Sequence, residues 1–156
     1  MATIHILLVE DNDGDILLTQ EAFEETKALI KLSVVRDGKE ALDFLTKKGK
    51  YASTDTPDML LLDINLPKIN GHEVLQFIKE DENLKHIPVI MLTTSSSPKD
   101  INLSYNNYAN CFITKPVDVN DFINVITTMA HFWITIVKLP AKKEIKLEEL
   151  EKQNQF

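Results

Sequence analysis

Five residues stand where chemistry could be done, each just past a short apolar run. Ile4 to Val9 ends in Glu10-Asp11, Met59 to Leu62 ends in Asp63, Val89 to Leu92 ends in Thr93, and Cys111 to Ile113 ends in Thr114-Lys115. Three carboxylates around one crevice repel each other strongly unless a counter-charge is supplied. A divalent cation supplies it, and Mg²⁺ takes one or two carboxylates together with water and phosphate oxygens. A hydroxyl and an ammonium beside them are donors for an oxyanion. Cation, carboxylate nucleophile, hydroxyl and lysine are the parts of a phosphoryl-transfer site, in which positioning and charge stabilisation carry most of the chemistry. An aspartate can itself take the phosphoryl group as an acyl phosphate.

Taken singly, each residue has a plainer role. Asp13 and Asp15 lie in a polar turn, and Asp15 suits a helix N-cap. Thr93 heads a loop of hydroxyl residues, and Lys115 alone is a solvated charge. Asp11, Asp13 and Asp15 alternate as in a calcium loop, but Gly14 is misplaced for one and no glutamate stands at loop position 12. The joint pattern, suitable chemistry at four separate strand ends, favours a phosphate-related site.

The elements that must position these groups alternate along the chain. Helical spacing runs from Asp15 through Ile16, Leu17 and Phe23, then through Ala41, Leu42 and Leu45, and through Val74, Leu75 and Ile78. A short polar helix is expected from Ile101 to Asn107, and a long final one through Phe122, Val125, Ile126, Met129 and Trp133. Leu32 to Val35 completes a set of five strands, and Gly49 to Pro57 reads as a loop. Strands joined in this way run parallel with right-handed crossovers and helices on both faces. The reading is an α/β, doubly wound five-stranded parallel sheet in the order 2-1-3-4-5, whose ligands sit at the carboxyl ends of the strands.

With 156 residues, 44% of them hydrophobic, the chain has the material for one core. We expect one domain over residues 1–139 and a charged tail over 140–156. The net charge of −7 gives no general attraction to nucleic acid or to anionic lipid. No run approaches the roughly 18 apolar residues of a membrane span, and no signal peptide is evident, so the expected compartment is the cytosol. Cys111 cannot form an internal disulfide or a zinc site alone. His5, His72, His86 and His131 are scattered without metal spacing and read as surface or satisfied histidines.

Ile6-Leu7-Leu8-Val9-Glu10-Asp11, Leu61-Leu62-Asp63 with Pro67 and Gly71, Thr93, and Lys115-Pro116 together resemble the receiver domain of two-component response regulators, which is flavodoxin-like in fold. The likeness extends from Ile4 to about Val137. Glu10-Asp11-Asn12, Phe132-Trp133 and the lack of an output domain are most similar to the single-domain regulators of phytochrome-type histidine kinases. The resemblance implies that Asp63 accepts a phosphoryl group from a phosphohistidine of a sensor kinase. It implies that Mg²⁺ is held by Glu10, Asp11, Asp63 and the backbone carbonyl of Asn65. Lys115 would pair with Asp63 and then with the phosphoryl oxygens, Thr93 would move to bond that group, and Phe112 would turn inward behind it. Lys115-Pro116 matches a peptide that is cis in the family. Asn65 and Ser95, two residues past the acceptor and the switch threonine, would tune how long the mark lasts.

So read, the protein is a stand-alone response regulator of a phosphorelay. It would be a switch rather than an enzyme on external substrates, catalysing only its own phosphorylation and dephosphorylation, and would signal through its helix 4, strand 5 and helix 5 surface. Three other readings fare worse. A flavin carrier needs a phosphate-cradling loop after the first strand, where this chain has Glu10-Asp11-Asn12-Asp13. A phosphohydrolase of the haloacid dehalogenase kind needs a second acid two residues past its nucleophile, where this chain has Asn65. A receiver-like module that never takes phosphate has no need of the full set of groups present. Helix 5 carries more apolar residues than one buried face uses, with Ile123, Phe132, Ile134, Ile136 and Val137 left over. Contiguous apolar surface marks contacts, and a helix-5 homodimer is expected.

Overall fold

The structure, a computed structural model, describes residues 3–141. Strand and helix alternate throughout: β1 (Ile4–Val9), α1 (Asp13–Glu24), β2 (Ile30–Val35), α2 (Gly38–Leu45), β3 (Met59–Leu62), α3 (Gly71–Glu80), β4 (Val89–Thr93), α4 (Pro98–Asn106), β5 (Cys111–Thr114) and α5 (Val119–Ala130). All strand pairings are parallel, in the order β2-β1-β3-β4-β5. This is the expected doubly wound sheet.

The unbroken apolar run of β3 is explained by its place in the middle. All four of its side chains are fully buried. Alternation along the strand sends Leu60 and Leu62 into one core and Met59 and Leu61 into the other. The first core is closed by Ala41, Phe44 and Leu45 of α2 and by Val74, Leu75 and Ile78 of α3. The second is closed by Ile16 and Phe23 of α1 and by Phe122, Ile126 and Met129 of α5. α4 differs from the rest, because Ser104 is the one buried residue among those in it.

Each helix begins on a side-chain cap, and the caps hold the strand-end loops short. Asn12, Asp37, Asn70, Ser97 and Asp118 each accept a hydrogen bond from the N–H three residues on. Such a cap is worth about 1 kcal/mol. α1 therefore starts two residues earlier than its hydrophobic spacing suggests. Its N-cap is Asn12, not Asp15, and the Asp15 side chain is left for other use. β2 likewise starts at Ile30, and the loop expected after Gly49 contains a 3₁₀ turn over Gly49–Tyr51.

The final helix does not run straight. After Ala130 it widens into π-type turns over His131–Ile136, with the Val137 N–H bonded to the Phe132 carbonyl at 2.8 Å. Widening changes the phase of the helix. Trp133 and Ile134 both pack against the α1–α5 core, while Phe132 and Ile136 are about half exposed, at 51% and 57%. The tail expected over 140–156 falls, from Lys142 onward, outside the described residues.

One close approach fixes where the third strand ends. The Gly71 N–H donates to the Ile64 carbonyl at 2.8 Å, and a Cβ on Gly71 would lie 2.0 Å from the Asp63 carbonyl oxygen. Only glycine lets α3 start against the backbone of Asp63.

Candidate functional site

The parallel ladder continues one residue past each apolar run and aligns the polar residues that follow. The Glu10 N–H donates to the Val35 carbonyl at 3.0 Å, Asp63 to Val9 at 3.1 Å, and Lys115 to Thr93 at 2.7 Å. Glu10, Asp63, Thr93 and Lys115 are thereby buried at one edge of the sheet. Asp11 is exposed beside them. Carboxylate oxygens of Glu10, Asp11 and Asp63 lie within 4.8 Å of one another. The structure brings together the five residues that the strand ends single out.

Lys115 holds the group together. Its Nζ donates to Asp63 Oδ2 at 3.1 Å, to Asp15 Oδ2 at 2.9 Å, and to Glu10 Oε1 in a close hydrogen bond. All three ammonium protons have carboxylate partners. Asp63 Oδ1 accepts from the Ile64 N–H at 2.7 Å, which orients the carboxyl from its other side. Glu10 Oε2 accepts from the Asp11 N–H at 3.0 Å.

Asp15 is the residue of the site that its local sequence conceals. The polar turn suggests a cap, but Asn12 takes that role and Asp15, in the first turn of α1, reaches Lys115 a hundred residues away. The signal available in sequence is the Asn12-x-x-Asp15 spacing itself. With a better cap three residues upstream, an aspartate in the first turn is free to face the crevice.

The charges follow from burial. Removal from water pushes the Glu10 carboxyl up to about 8, hydrogen bonding with Asp63 adds to the shift, and Lys115 only partly opposes it. Burial also works against the charged form of Asp63. Hydrogen bonding from Glu10, the Lys115 charge and the Thr93 hydroxyl outweigh it and hold Asp63 below the ordinary carboxylate range. Burial likewise disfavours the Lys115 ammonium, but Glu10, Asp63 and Asp15 more than offset it and raise its pKa above that of an ordinary lysine. The buried part of the site, Glu10 and Asp63 against Lys115, is one positive charge short, and a proton on Glu10 fills the place. Hard oxygen donors on two buried carboxylates and one exposed one suit a hard divalent cation.

The remaining sequence-derived residues are placed as follows. Asn65 is exposed two residues past Asp63. Ser95 is half-buried, and its hydroxyl donates to Asp100 Oδ2 at 2.6 Å. Phe112 pairs in register with Met91 and is partly buried against the core under α2 and α3. Pro116 corrects an expectation: there is no cis peptide bond among the described residues, so Lys115–Pro116 is trans. Trans is the intrinsic preference of X–Pro by about 0.5–1 kcal/mol, and Lys115 reaches its three carboxylates with this peptide trans.

The raised Glu10 pKa makes stability depend on pH. Between the ordinary glutamate value of 4.5 and about 8, the folded protein keeps a proton that the unfolded chain has released. Glu10 therefore stabilises the metal-free fold fully below that interval, and its contribution is lost as pH rises through about 8. In denaturant titrations without divalent cation, the midpoint is expected to fall across this interval. Glu10→Gln should flatten the slope. An equal slope in the variant would place its origin elsewhere.

Residues 6–127 match the response regulator receiver domain family. Response regulator Rcp1 of Synechocystis sp. is 41% identical over 136 residues, which cover 87% of this chain and 92% of that protein. The probable methanogenesis regulatory protein FilR2 of Methanothrix harundinacea is 40% identical over 129 residues, 83% of each chain. Among solved structures, the phosphorylated cyanobacterial phytochrome response regulator RcpA is similar with a TM-score of 0.88 at 43% identity, covering 90% of this chain and all of that one. The Mn²⁺-bound form of Rcp1 has a TM-score of 0.86 at 40% identity, covering 88% of this chain and 99% of that one. With this likeness over most of its length and the five strand-end residues gathered at one edge of the sheet, the chain belongs to the response regulator receiver domain family of two-component systems.

Proposed function

We propose that the protein is a phosphorylation-controlled switch in which Asp63 takes a phosphoryl group from a phosphohistidine of a sensor kinase. An Asp63 carboxylate oxygen forms the new P–O bond, the P–N bond breaks, and the departing imidazole nitrogen keeps the electron pair. The observation that carries this reading is the buried Asp63–Lys115 pair at 3.1 Å with the Thr93 hydroxyl beside it. The low pKa keeps Asp63 ionised, as a nucleophile must be. Lys115 and Thr93 are donors for the oxygens that arrive. Asp15, the most exposed of the three Lys115 partners, is the contact given up most cheaply when Lys115 turns to the phosphoryl group.

Glu10, Asp11, Asp63 and the Asn65 carbonyl would hold Mg²⁺, which would supply charge neutralisation for the transfer when bound. Asn65 and Ser95 flank the path of attacking water and set the lifetime of the mark, whose loss the protein itself catalyses. Thr93 is drawn to the phosphoryl group, Phe112 follows it inward, and the surface of α4, β5 and α5 changes. The partner is a histidine kinase of phytochrome type, a reading supported by the likeness to RcpA, a phytochrome response regulator. It acts in the cytosol, where such kinases present their phosphohistidine.

A second copy of the chain meets the α5 end. An apolar groove there is lined by Cys111, Ile113, Val125, Phe132 and Trp133. Size exclusion with light scattering is expected to give twice the chain mass. A monomer with and without a phosphoryl mimic would contradict it.

The acceptor is tested by intact-protein mass after incubation with Mg²⁺ and a small phosphodonor. One phosphoryl adduct is expected, dependent on Mg²⁺ and absent in Asp63→Asn. An adduct that survives in the variant, or none in the parent protein, would overturn the assignment.

A further inference from the structure

A chain of hydrogen bonds leaves the site sideways and reaches Asp100 and His72, which no part of the chemistry above uses. The Ser95 N–H points to Thr93 Oγ1 at 3.4 Å, and the Ser95 hydroxyl donates to Asp100 Oδ2 at 2.6 Å. The other oxygen, Asp100 Oδ1, lies 3.0 Å from His72 Nε2. His72 is the second residue of α3, directly after the Gly71 that abuts the Asp63 carbonyl. The chain therefore ties together two backbone segments that flank the acceptor, the start of α3 and the turn that carries Thr93.

Three observations mark this tie as more than surface decoration. The His72 side chain is only 13% exposed, and its second ring nitrogen, Nδ1, is buried with no hydrogen-bond partner. The bond to Asp100 is thus the polar contact that orients the ring. Asp100 is itself fixed, since its N–H donates to Ser97 Oγ at 3.1 Å and its carbonyl accepts from buried Ser104 at 2.8 Å. The Ser95 hydroxyl, and after it the His72 ring, hold the Asp100 carboxyl below its usual range. Finally, α4 has no buried apolar side chain to anchor it. Thr94, Ser96 and Ser97 are exposed, so the turn after Thr93 is held by polar contacts instead of packing.

We propose that His72 and Asp100 are positioning residues that hold the Thr93–Ser95 turn with the Thr93 hydroxyl toward Asp63, and so set how tightly a phosphoryl group there is gripped. The inference rests on the receiver reading above and adds to it. α3 becomes part of the switch, because its first turn holds one end of the latch. Losing the latch frees the turn, and the Thr93 donor is then ordered only when the phosphoryl group arrives.

The test is the affinity for beryllofluoride, a mimic of the phosphoryl group on a carboxylate, at saturating Mg²⁺. His72→Phe and Asp100→Asn are each expected to weaken binding about fivefold, the worth of one hydrogen bond. The double variant should lose no more than either single one, because both break the same chain. His72→Gln, whose amide N–H can replace that of Nε2, should stay within about twofold of the parent protein. Affinity for Mg²⁺ alone should not move in any of them. In ¹⁵N-labelled protein without ligand, the Thr93 and Ser95 amide signals should shift in His72→Phe and Asp100→Asn but not in His72→Gln. Parent-like binding in His72→Phe and Asp100→Asn, or additive losses in the double variant, would overturn the latch and leave the receiver reading standing. Failure of the parent protein to bind beryllofluoride would overturn both.

Discussion

One buried ammonium among four carboxylates governs this end of the molecule. Lys115 is 7% exposed and bonded to Glu10, Asp15 and Asp63, with Asp11 at the rim. Taking a charge out of water costs several kcal/mol unless partners compensate. Lys115 has three, so it stays charged, but Glu10 and Asp63 cannot both ionise at ease beside a single positive charge. The proton therefore settles on Glu10 and leaves Asp63 as the anion. The division of labour between two neighbouring carboxylates comes from their surroundings, since both are buried and only their partners differ.

The sheet is what makes this arrangement affordable. Parallel register sets Val9 beside Leu62 and Thr93 beside Thr114, so the residues that follow arrive at one edge together. Two apolar cores clamp the strands from both faces and leave little freedom at their ends. The helices are not held equally. α1, α2, α3 and α5 each bury apolar side chains, whereas α4 buries Ser104. A charge change at Asp63 meets a rigid floor on one side and, at the turn after Thr93, a helix held by hydrogen bonds. On the proposed reading, that contrast is where a local charge would become a change of surface.

Much of this was readable from residue order. The Met59–Leu62 run, bounded by polar residues, fits a strand covered on both faces, and Asp63 after it stands out because three other strand ends carry matching groups. What escaped were contacts between distant segments that local patterns disguise. Asp15 looked like a cap because caps and first-turn acids share a composition, and only the choice of Asn12 as cap freed it for Lys115. His72 reads in sequence as a surface or satisfied histidine, and nothing local says that Asp100, 28 residues on, is what satisfies it. The long apolar repeat of the last helix concealed its π turns, because i+3 and i+4 spacing does not reveal where a helix widens. The trans Lys115–Pro116 peptide went against a family resemblance, not against a physical argument.

The central claim is that the buried group of Glu10, Asp63 and Lys115 is one positive charge short and that a proton on Glu10 stands in for it. The most direct test is calorimetric titration with Mg²⁺ at pH 7 in buffers of different ionisation enthalpy, which counts the protons exchanged on binding. Because ligands must be deprotonated, about one proton should leave per Mg²⁺ bound. Glu10→Gln should release none. Binding by the parent protein with no proton released would mean that Glu10 is already ionised beside Asp63, and the charge account would be wrong.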